Sequence, residues 1–105
     1  MRRGEIWWAE LPPPVGKRPV LLLSRDSAYR VRTSVTVGAV TRTVRNIPVE
    51  VPLGKEDGMP RPCVVNLDEI LTIPRSRLVE RITTLSPEKM EAVAKAIAFA
   101  LDLDL

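Results

Sequence analysis

The chain has 105 residues, with 16 lysines and arginines against 13 aspartates and glutamates, and a formal net charge of +3. It contains no histidine and one cysteine, Cys63, which excludes a histidine general base, a histidine-activated nucleophile, an intrachain disulfide and a cysteine cluster for zinc. The length fits one small domain over residues 1–105, whose chemistry must come from arginine, lysine, carboxylates, hydroxyls or Cys63.

The strictly apolar runs are short. The longest, Val20–Leu23 and Ala96–Leu101, fall far below the roughly 20 residues that span a bilayer. The first four residues include two arginines, but no apolar segment follows them, so the sequence predicts no signal peptide and a cytoplasmic protein.

Strand patterns dominate the first half of the chain. Glu5–Leu11 mixes aromatic and apolar residues, and the three prolines at 12–14 end that strand. Arg18–Ser24 is an apolar run typical of a buried strand, and Thr33–Arg42 is rich in valine and threonine. Gly38 within the latter strand indicates a bulge or a sharp bend.

The strands of the second half are shorter. Ile47–Leu53 contains two prolines and is predicted to be an edge strand. Cys63–Leu67 and Leu78–Thr83 are predicted strands, and Pro74–Arg77 is a turn or a single helical turn between them. Five or six short strands in a chain of this size favour a small barrel.

A helix is predicted at the C-terminal end, over residues 87–101. Ser86 is a suitable N-cap and Pro87 fits the first helical position. Apolar residues then recur at helical spacing in one stripe, and Phe99 is expected in the core or at an interface. The stripe consists of Met90, Val93, Ala94, Ile97 and Leu101.

Positive charge is concentrated in the N-terminal half. Residues 1–50 carry nine basic and four acidic side chains, a balance of +5, whereas residues 51–105 carry seven and nine, a balance of −2. A basic surface rich in arginine is typical of nucleic-acid binding, because the guanidinium fork pairs well with phosphate. The alternative is an ordinary solvated surface.

A hairpin brings two candidate residues together. The segments Arg18–Ser24 and Thr33–Arg42 can pair antiparallel, with Arg25–Arg32 between them. If this hairpin is centred between Tyr29 and Arg30, opposite residues have numbers that add to 59. Arg18 then faces Thr41, with the two side chains on one face of the sheet. The alternative is an arginine and a threonine at an exposed sheet end, with no chemical role.

Several segments, in order and covering almost the whole chain, resemble the MazF/PemK toxin endoribonucleases of the CcdB/PemK superfamily. They are Arg3-Gly4-Glu5-Ile6-Trp7, Arg18-Pro19-Val20, Ala39-Val40-Thr41, Val65–Ile73, and Arg77-Leu78 leading to Leu85-Ser86-Pro87-Glu88. The resemblance implies a mainly β fold, a small SH3-like barrel of five to seven short strands with a C-terminal α-helix. It also implies a homodimer that cuts single-stranded RNA at short sequence motifs without a metal or other cofactor.

The resemblance also implies a mechanism and a partner. The 2′-hydroxyl attacks the adjacent phosphate, which gives a 2′,3′-cyclic phosphate and a 5′-hydroxyl end. The family's catalytic arginine and threonine fall on Arg18 and Thr41, and the acidic position that some members place near the site falls on Asp68. A carboxylate that binds backbone N–H groups in a turn is the alternative for Asp68. A cognate antitoxin would inhibit through a disordered, largely acidic C-terminal segment.

Other charged residues are expected to contact the RNA, and they are Lys17, Arg25, Arg42, Arg45 and Glu69. Two departures from the family pattern affect this region. The loop over residues 12–17 is shorter than in many members, and the usual Asp-Gln-Ile-Arg-Thr reads Asp68-Glu69-Ile70-Leu71-Thr72. Because of the shorter loop, the family pattern does not predict which RNA sequence is cut. The changed segment lacks an amide and a positive charge.

Three further residues have structural interpretations. Trp7 and Trp8 are adjacent in a strand, so one is expected in the core and the other at the groove or the dimer interface. Cys63 is expected to be a small buried hydrophobe, because no base is available to activate its thiol.

Two other functions are alternatives to the nuclease. The chain is then either a non-catalytic relative that inhibits a protein such as DNA gyrase, or an SH3-like nucleic-acid-binding module.

Overall fold

The computed structural model describes residues 1–104, in which six strands, two α-helices and two 3-10 turns are formed. None of these helices is long and apolar enough to cross a membrane. The elements are β1 Glu5–Glu10, β2 Lys17–Leu22, α1 Ala28–Val31, β3 Ser34–Thr41, β4 Glu50–Leu53, the 3-10 turn Lys55–Asp57, β5 Cys63–Pro74, the 3-10 turn Arg75–Arg77, β6 Leu78–Thr84 and α2 Pro87–Ala100.

The six strands form one antiparallel sheet in the order β4-β5-β3-β2-β1-β6. β4 lies at an edge, as the two prolines of its segment predicted, although it begins at Glu50 rather than Ile47. The mainly β fold with a C-terminal helix is therefore confirmed.

The sheet is buried on both faces in its centre. Leu21 belongs to the apolar cluster that also holds Val93 of α2, whereas Val20 and Leu22 point into a second cluster with Tyr29 of α1. Because successive side chains of a strand alternate between faces, two cores require a continuous apolar run in β2 rather than an alternating one. This accounts for the unbroken apolar sequence from Val20.

The gap between the edge strands β4 and β6 is bridged by side chains. The hydroxyl of Thr83 in β6 donates to the carbonyl oxygen of Asp57, at 2.9 Å, in the turn that follows β4. Lys89 of α2 donates to the carbonyl oxygen of Pro52 at 2.5 Å, and its ammonium lies 3.7 Å from the Asp57 carboxylate. These polar contacts close the curled sheet where strand pairing ends.

β5 is much longer than predicted, since it runs from Cys63 to Pro74 rather than ending at Leu67. The pairing with β3 shifts between Gly38, opposite Ile70, and Ala39, opposite Asn66, so three residues of β5 bulge out. The sequence suggested an irregularity at Gly38, and it is confirmed. A Cβ atom on Gly38 would lie 3.2 Å from the Val65 side chain, so glycine fits this closely packed position of β3.

The predicted hairpin loop Arg25–Arg32 is not an open loop, since Ala28–Val31 forms one helical turn. Ala28 and Tyr29 are buried there, and the Tyr29 hydroxyl donates to the carbonyl oxygen of Ser24 at 3.2 Å. Burial of two side chains fixes a segment that is too short to show helical periodicity in the sequence.

The C-terminal helix begins as predicted. The Ser86 hydroxyl accepts a hydrogen bond from the backbone N–H of Lys89 at 3.2 Å, which satisfies one of the free donors of the first turn.

The predicted apolar stripe of this helix is partly wrong. Val93 and Ala96 are buried and Met90 and Ile97 pack against the same cluster, but Ala94 and Leu101 are exposed. The reason is that α2 packs on β4 and β5 through positions 90, 93, 96 and 97, which turn 94 outward. Phe99 is 63 % exposed and is therefore not a core residue.

Candidate active site

The pairing of β2 with β3 sets the geometry of the candidate site. Three pairs are formed, Val20 with Ala39, Leu21 with Gly38 and Leu22 with Val37, and each pair adds to 59. The predicted register is thus confirmed. Continuing it by two positions, within the bounds of both strands, sets Arg18 of β2 opposite Thr41 of β3. Residues that face each other in an antiparallel pair lie about 5 Å apart at Cβ and share a face.

Local contacts fix both residues at the ends of their strands. Arg18 is exposed, and its Nε donates to the carbonyl oxygen of Val15 at 3.2 Å, which ties the side chain to the short β1–β2 loop. Thr41 is half-buried, and its hydroxyl oxygen accepts a hydrogen bond from the backbone N–H of Thr43 at 3.1 Å. The guanidinium keeps donors free for a ligand, and the Thr41 hydroxyl keeps its proton to donate.

Both residues belong to the rim of a cleft of about 320 Å³ at this end of the sheet. Its walls come from β1, β2, β3, β5, β6 and the segment before β5. They are Trp8, Lys17, Arg18, Pro19, Val40, Thr41, Arg42, Met59, Pro60, Arg61, Cys63 and Ile82.

The charge of this cleft has one sign. Lys17, Arg18, Arg42 and Arg61 line it, and none of its lining residues is acidic. Four cations around a small cleft favour a phosphodiester, because arginine and lysine both donate to phosphate oxygens. Lys17 and Arg42 were predicted from the sequence, whereas Arg61 was missed. The signal for Arg61 was its place just before β5, whose Val64 pairs with Thr41.

The two tryptophans lie on opposite faces of β1, as predicted. Trp7 packs against the cluster that contains Tyr29, and its Nε1 donates to Glu5 at 2.9 Å. Trp8 lines the cleft, where the ammonium of Lys17 lies 5.4 Å from the centre of its ring. Trp8 therefore gives the cleft an aromatic wall beside its cationic rim.

Cys63 is buried at 6 % exposure and lines the inner part of the cleft. Burial raises the pKa of its thiol, and the Asp57 carboxylate raises it further. The thiolate is therefore scarce at neutral pH, which agrees with the prediction of a small buried hydrophobe rather than a nucleophile.

The two acidic candidates lie outside the lining of the cleft. Asp68 and Glu69 are exposed in the β5 bulge, at the register shift beside Ala39. The backbone N–H of Asp68 donates to the side-chain oxygen of Asn66 at 2.9 Å, which gives the bulge its turn. This hydrogen bond is made by the backbone N–H of Asp68 and does not involve its carboxylate.

Two of the predicted RNA-contacting arginines are also outside the cleft lining. Arg25 is exposed in the segment that leads to α1. Arg45 is exposed in the loop between β3 and β4, and its backbone N–H donates to the Glu50 carboxylate at 2.9 Å.

Within residues 1–104, no three His, Cys, Asp or Glu side chains are grouped in a way that could hold a metal ion.

Known proteins share this fold and this sequence. The chain is 43 % identical over 98 residues to the probable endoribonuclease MazF2 of Mycobacterium tuberculosis, an alignment that covers 92 % of this chain and 94 % of that protein. The solved structure of the Mycobacterium tuberculosis toxin MazF-mt6 superposes with a TM-score of 0.89 at 39 % identity, over 96 % of this chain and 99 % of that one.

A second solved structure, an endoribonuclease in complex with its cognate antitoxin from a mycobacterial species, gives a TM-score of 0.88 at 28 % identity, over 100 % of this chain and 98 % of that one. The family described as "PemK-like, MazF-like toxin of type II toxin-antitoxin system" matches residues 2–101. The chain is therefore a member of the PemK-like, MazF-like toxin family.

Proposed function

We propose that this toxin is a metal-independent, sequence-specific endoribonuclease that cleaves single-stranded RNA and gives a 2′,3′-cyclic phosphate and a 5′-hydroxyl end. The observation that carries the proposal is the register that sets Arg18 opposite Thr41 at the rim of a cleft with four cations and no acid. The active unit is a single domain, residues 1–105, which acts as a homodimer in the cytoplasm, where its RNA substrate is found.

Arg18 is the main catalytic group in this proposal. As the 2′-oxygen attacks phosphorus, the bond from phosphorus to the 5′-oxygen breaks, and negative charge builds up on the non-bridging oxygens. A guanidinium donates two parallel hydrogen bonds to such oxygens and stabilises the pentacoordinate transition state. Arg18 is also proposed to help protonate the leaving 5′-oxygen.

Thr41 supplies the second donor. Its hydroxyl can donate to a non-bridging oxygen of the same phosphate while its oxygen accepts from the Thr43 N–H. That backbone bond orients the hydroxyl, so little reorganisation is required in the transition state. Asp68 is proposed to accept the proton of the attacking 2′-hydroxyl beside the scissile phosphate, a role that requires its exposed carboxylate, which lies outside the cleft lining, to reach that hydroxyl in the RNA complex.

The remaining cations bind the RNA backbone. Lys17 and Arg42 are proposed to hold the phosphates next to the scissile one, since both line the cleft with Arg18. Arg25, Arg45 and Glu69 are proposed to contact RNA further away, because all three are exposed.

A cognate antitoxin is the proposed protein partner. A solved relative is described as bound to its cognate antitoxin, which supports a similar complex for this chain. An acidic, disordered segment suits a cleft that is lined by four cations, and its binding there would exclude RNA.

The test is cleavage of a long single-stranded RNA in EDTA, with both new ends mapped. We expect cuts at one short motif, a cyclic phosphate on one side and a 5′-hydroxyl on the other. A requirement for a divalent metal, or a 3′-hydroxyl product, would contradict the proposal. A protein that binds RNA without cutting it would favour the non-catalytic module instead.

A further inference from the structure

A second cluster of arginines lies at the other end of β3 from the cleft. It comes from two short segments, α1 with the residues that follow it and the 3-10 turn after β5. We call it the distal arginine patch, and it consists of Arg30, Arg32, Arg75 and Arg77.

Hydrogen bonds hold the two segments side by side. Ser34 pairs with Pro74 at the ends of β3 and β5, and the backbone N–H of Arg75 donates to the carbonyl oxygen of Thr33 at 2.7 Å. The guanidinium of Arg75 donates to the carbonyl oxygen of Tyr29 in α1 at 2.5 Å. Arg75 thus anchors the patch, while Arg30, Arg32 and Arg77 are exposed around it.

No acidic side chain belongs to either segment. Residues 27–49 and 70–79 contain no aspartate or glutamate, and no ion pair is formed by these arginines with the described residues. The acidic residues nearest in sequence are Glu80, three residues after Arg77, and Asp26, four residues before Arg30, and neither forms an ion pair with an arginine of the patch. The positive charge of the patch is therefore not neutralised locally.

A shallow depression of about 650 Å³ adjoins the patch. Its lining consists of three hydroxyl residues, Thr33, Ser34 and Ser76, of Arg75, and of the apolar residues Met1, Pro74 and Leu78. Hydroxyls and guanidinium groups are the side chains that most often contact phosphate and sugar. An isologous contact between two copies would bring like charges together, which disfavours self-association through this patch.

We infer that the distal arginine patch is a second RNA-contact surface, which binds the phosphate backbone of long single-stranded substrates away from the cut site. The inference rests on the proposed nuclease function. β3 spans about 23 Å between the patch and Thr41, seven steps of about 3.3 Å each. A single strand of RNA that links the two basic surfaces over this distance falls within the roughly 4 to 16 nucleotides that single-strand-binding sites cover.

The test compares two variants that lose the same charge. In the first, Arg32→Ala and Arg77→Ala remove two exposed patch arginines and keep Arg75, whose side chain joins the segments. In the matched control, Lys55→Ala and Lys95→Ala remove two exposed lysines outside both the patch and the cleft. Melting temperatures of both variants establish that the fold is kept.

Binding is measured with single-stranded 2′-O-methyl RNA, which lacks the nucleophile and is not cut. The probes are an oligonucleotide of about 2 nucleotides, shorter than the range that such sites cover and confined to the cleft, and one of about 25, which can also reach the patch. We expect the patch variant to bind the long probe about tenfold more weakly than the control. Its slope of log affinity against log salt should fall by about 1.4, or 0.7 for each lost phosphate contact.

Three outcomes would overturn the inference. The first is equal affinity of the two variants for the long probe. The second is a loss of affinity of the patch variant for the short probe that equals its loss for the long probe. The third is weaker binding of poly-glutamate with unchanged binding of RNA, which would assign the patch to an acidic protein. The nuclease proposal fails independently if the wild-type protein does not cleave unmodified RNA. The binding comparison can still be interpreted in that case, because its probes are not cut.

Discussion

When the antiparallel register of β2 and β3 is extended two residues beyond its terminal pair, Val20 with Ala39, Arg18 of β2 lies opposite Thr41 of β3. Both are at strand ends, where the sheet gives way to the cationic cleft. A guanidinium and a hydroxyl are thereby brought to the same place by backbone pairing, without a contact between their side chains. Substitutions at either position are therefore expected to change chemistry more than stability.

Arg18→Ala should lower the rate of RNA cleavage at least a thousandfold, roughly the 10³ seen when a transition-state donor is removed. Arg18→Lys should restore only part of it, because an ammonium lacks the planar fork. Arg18 is exposed, so the free energy of unfolding should stay within about 0.5 kcal/mol of wild type. Single-turnover cleavage and urea unfolding measure the two effects, with Lys95→Ala as the control. Wild-type cleavage by purified Arg18→Ala would refute the assignment.

Thr41→Val removes a hydroxyl and keeps the shape of the side chain, and Thr41→Ser keeps the hydroxyl. We expect the valine variant to lose about 10²-fold in kcat and the serine variant less than tenfold. The lost acceptor for the Thr43 N–H is replaced by water at this exposed turn, so folding should be little affected. If valine and serine cleave RNA equally well, the hydroxyl has no part in the reaction.

Asp68→Asn tests the proposed base. The carboxylate lies in the exposed bulge of β5 and outside the cleft lining, so we expect a smaller effect on kcat than that of Thr41→Val. The informative measurement is the dependence of kcat on pH. A base role predicts that the acidic limb of the wild-type profile disappears in Asp68→Asn. Identical profiles would leave Arg18 and Thr41 as the catalytic pair and remove Asp68 from the mechanism.

The sequence predicted the parts of the fold that depend on local pattern. The register of Arg18 and Thr41 followed from the centre of one hairpin, and the helix start followed from Ser86 and Pro87. The sequence indicated an irregularity at Gly38, but it did not predict that the three extra residues lie in β5, because that depends on the pairing of two strands distant in sequence.

The cleft shows the same limit. Lys17 and Arg42 neighbour Arg18 and Thr41 in the chain and were therefore found, whereas Arg61 reaches the cleft only through the pairing of β5 with β3. The roles of Asp68 and Glu69 stay predictions. They depend on the path of the RNA beyond the cleft, which the pattern of the sequence does not predict.

Gly58 should resist substitution because it lies where the edge strands are bridged. Its φ is +87°, and a Cβ atom there would be 2.3 Å from the hydroxyl oxygen of Thr83. Gly58→Ala should therefore cost about 2–4 kcal/mol, from backbone strain and from overlap. Gly16→Ala is the matched control, since Gly16 has a φ of +71° but a Cβ atom there would meet nothing within 4 Å. Equal losses in urea unfolding would show that the bridge to Thr83 tolerates the methyl group.

Glu5 should make the stability of the protein depend on acid. Burial alone would raise the pKa of its carboxyl, but hydrogen bonds from the Trp7 indole, the Arg2 backbone and Arg81 hold that pKa below its ordinary value. The distances are 2.9 Å to Trp7, 3.0 Å to the Arg2 nitrogen and 3.4 Å to Arg81. The carboxylate therefore joins β1 to β6 while it is charged.

The direction of the pH effect follows from that lowered pKa. A group whose pKa is lower in the folded state stabilises the fold fully above its unfolded value, about 4.3 for glutamate, and loses that contribution as the pH falls through the folded value. Glu5→Gln should therefore be less stable than wild type by about 1–2 kcal/mol at pH 7, with the difference shrinking below about pH 4. Glu10→Gln, on the exposed end of the same strand, is the control and should change little. A difference between Glu5→Gln and wild type that stays constant from neutral to acidic pH would mean that packing, and not the charge of Glu5, joins these two strands.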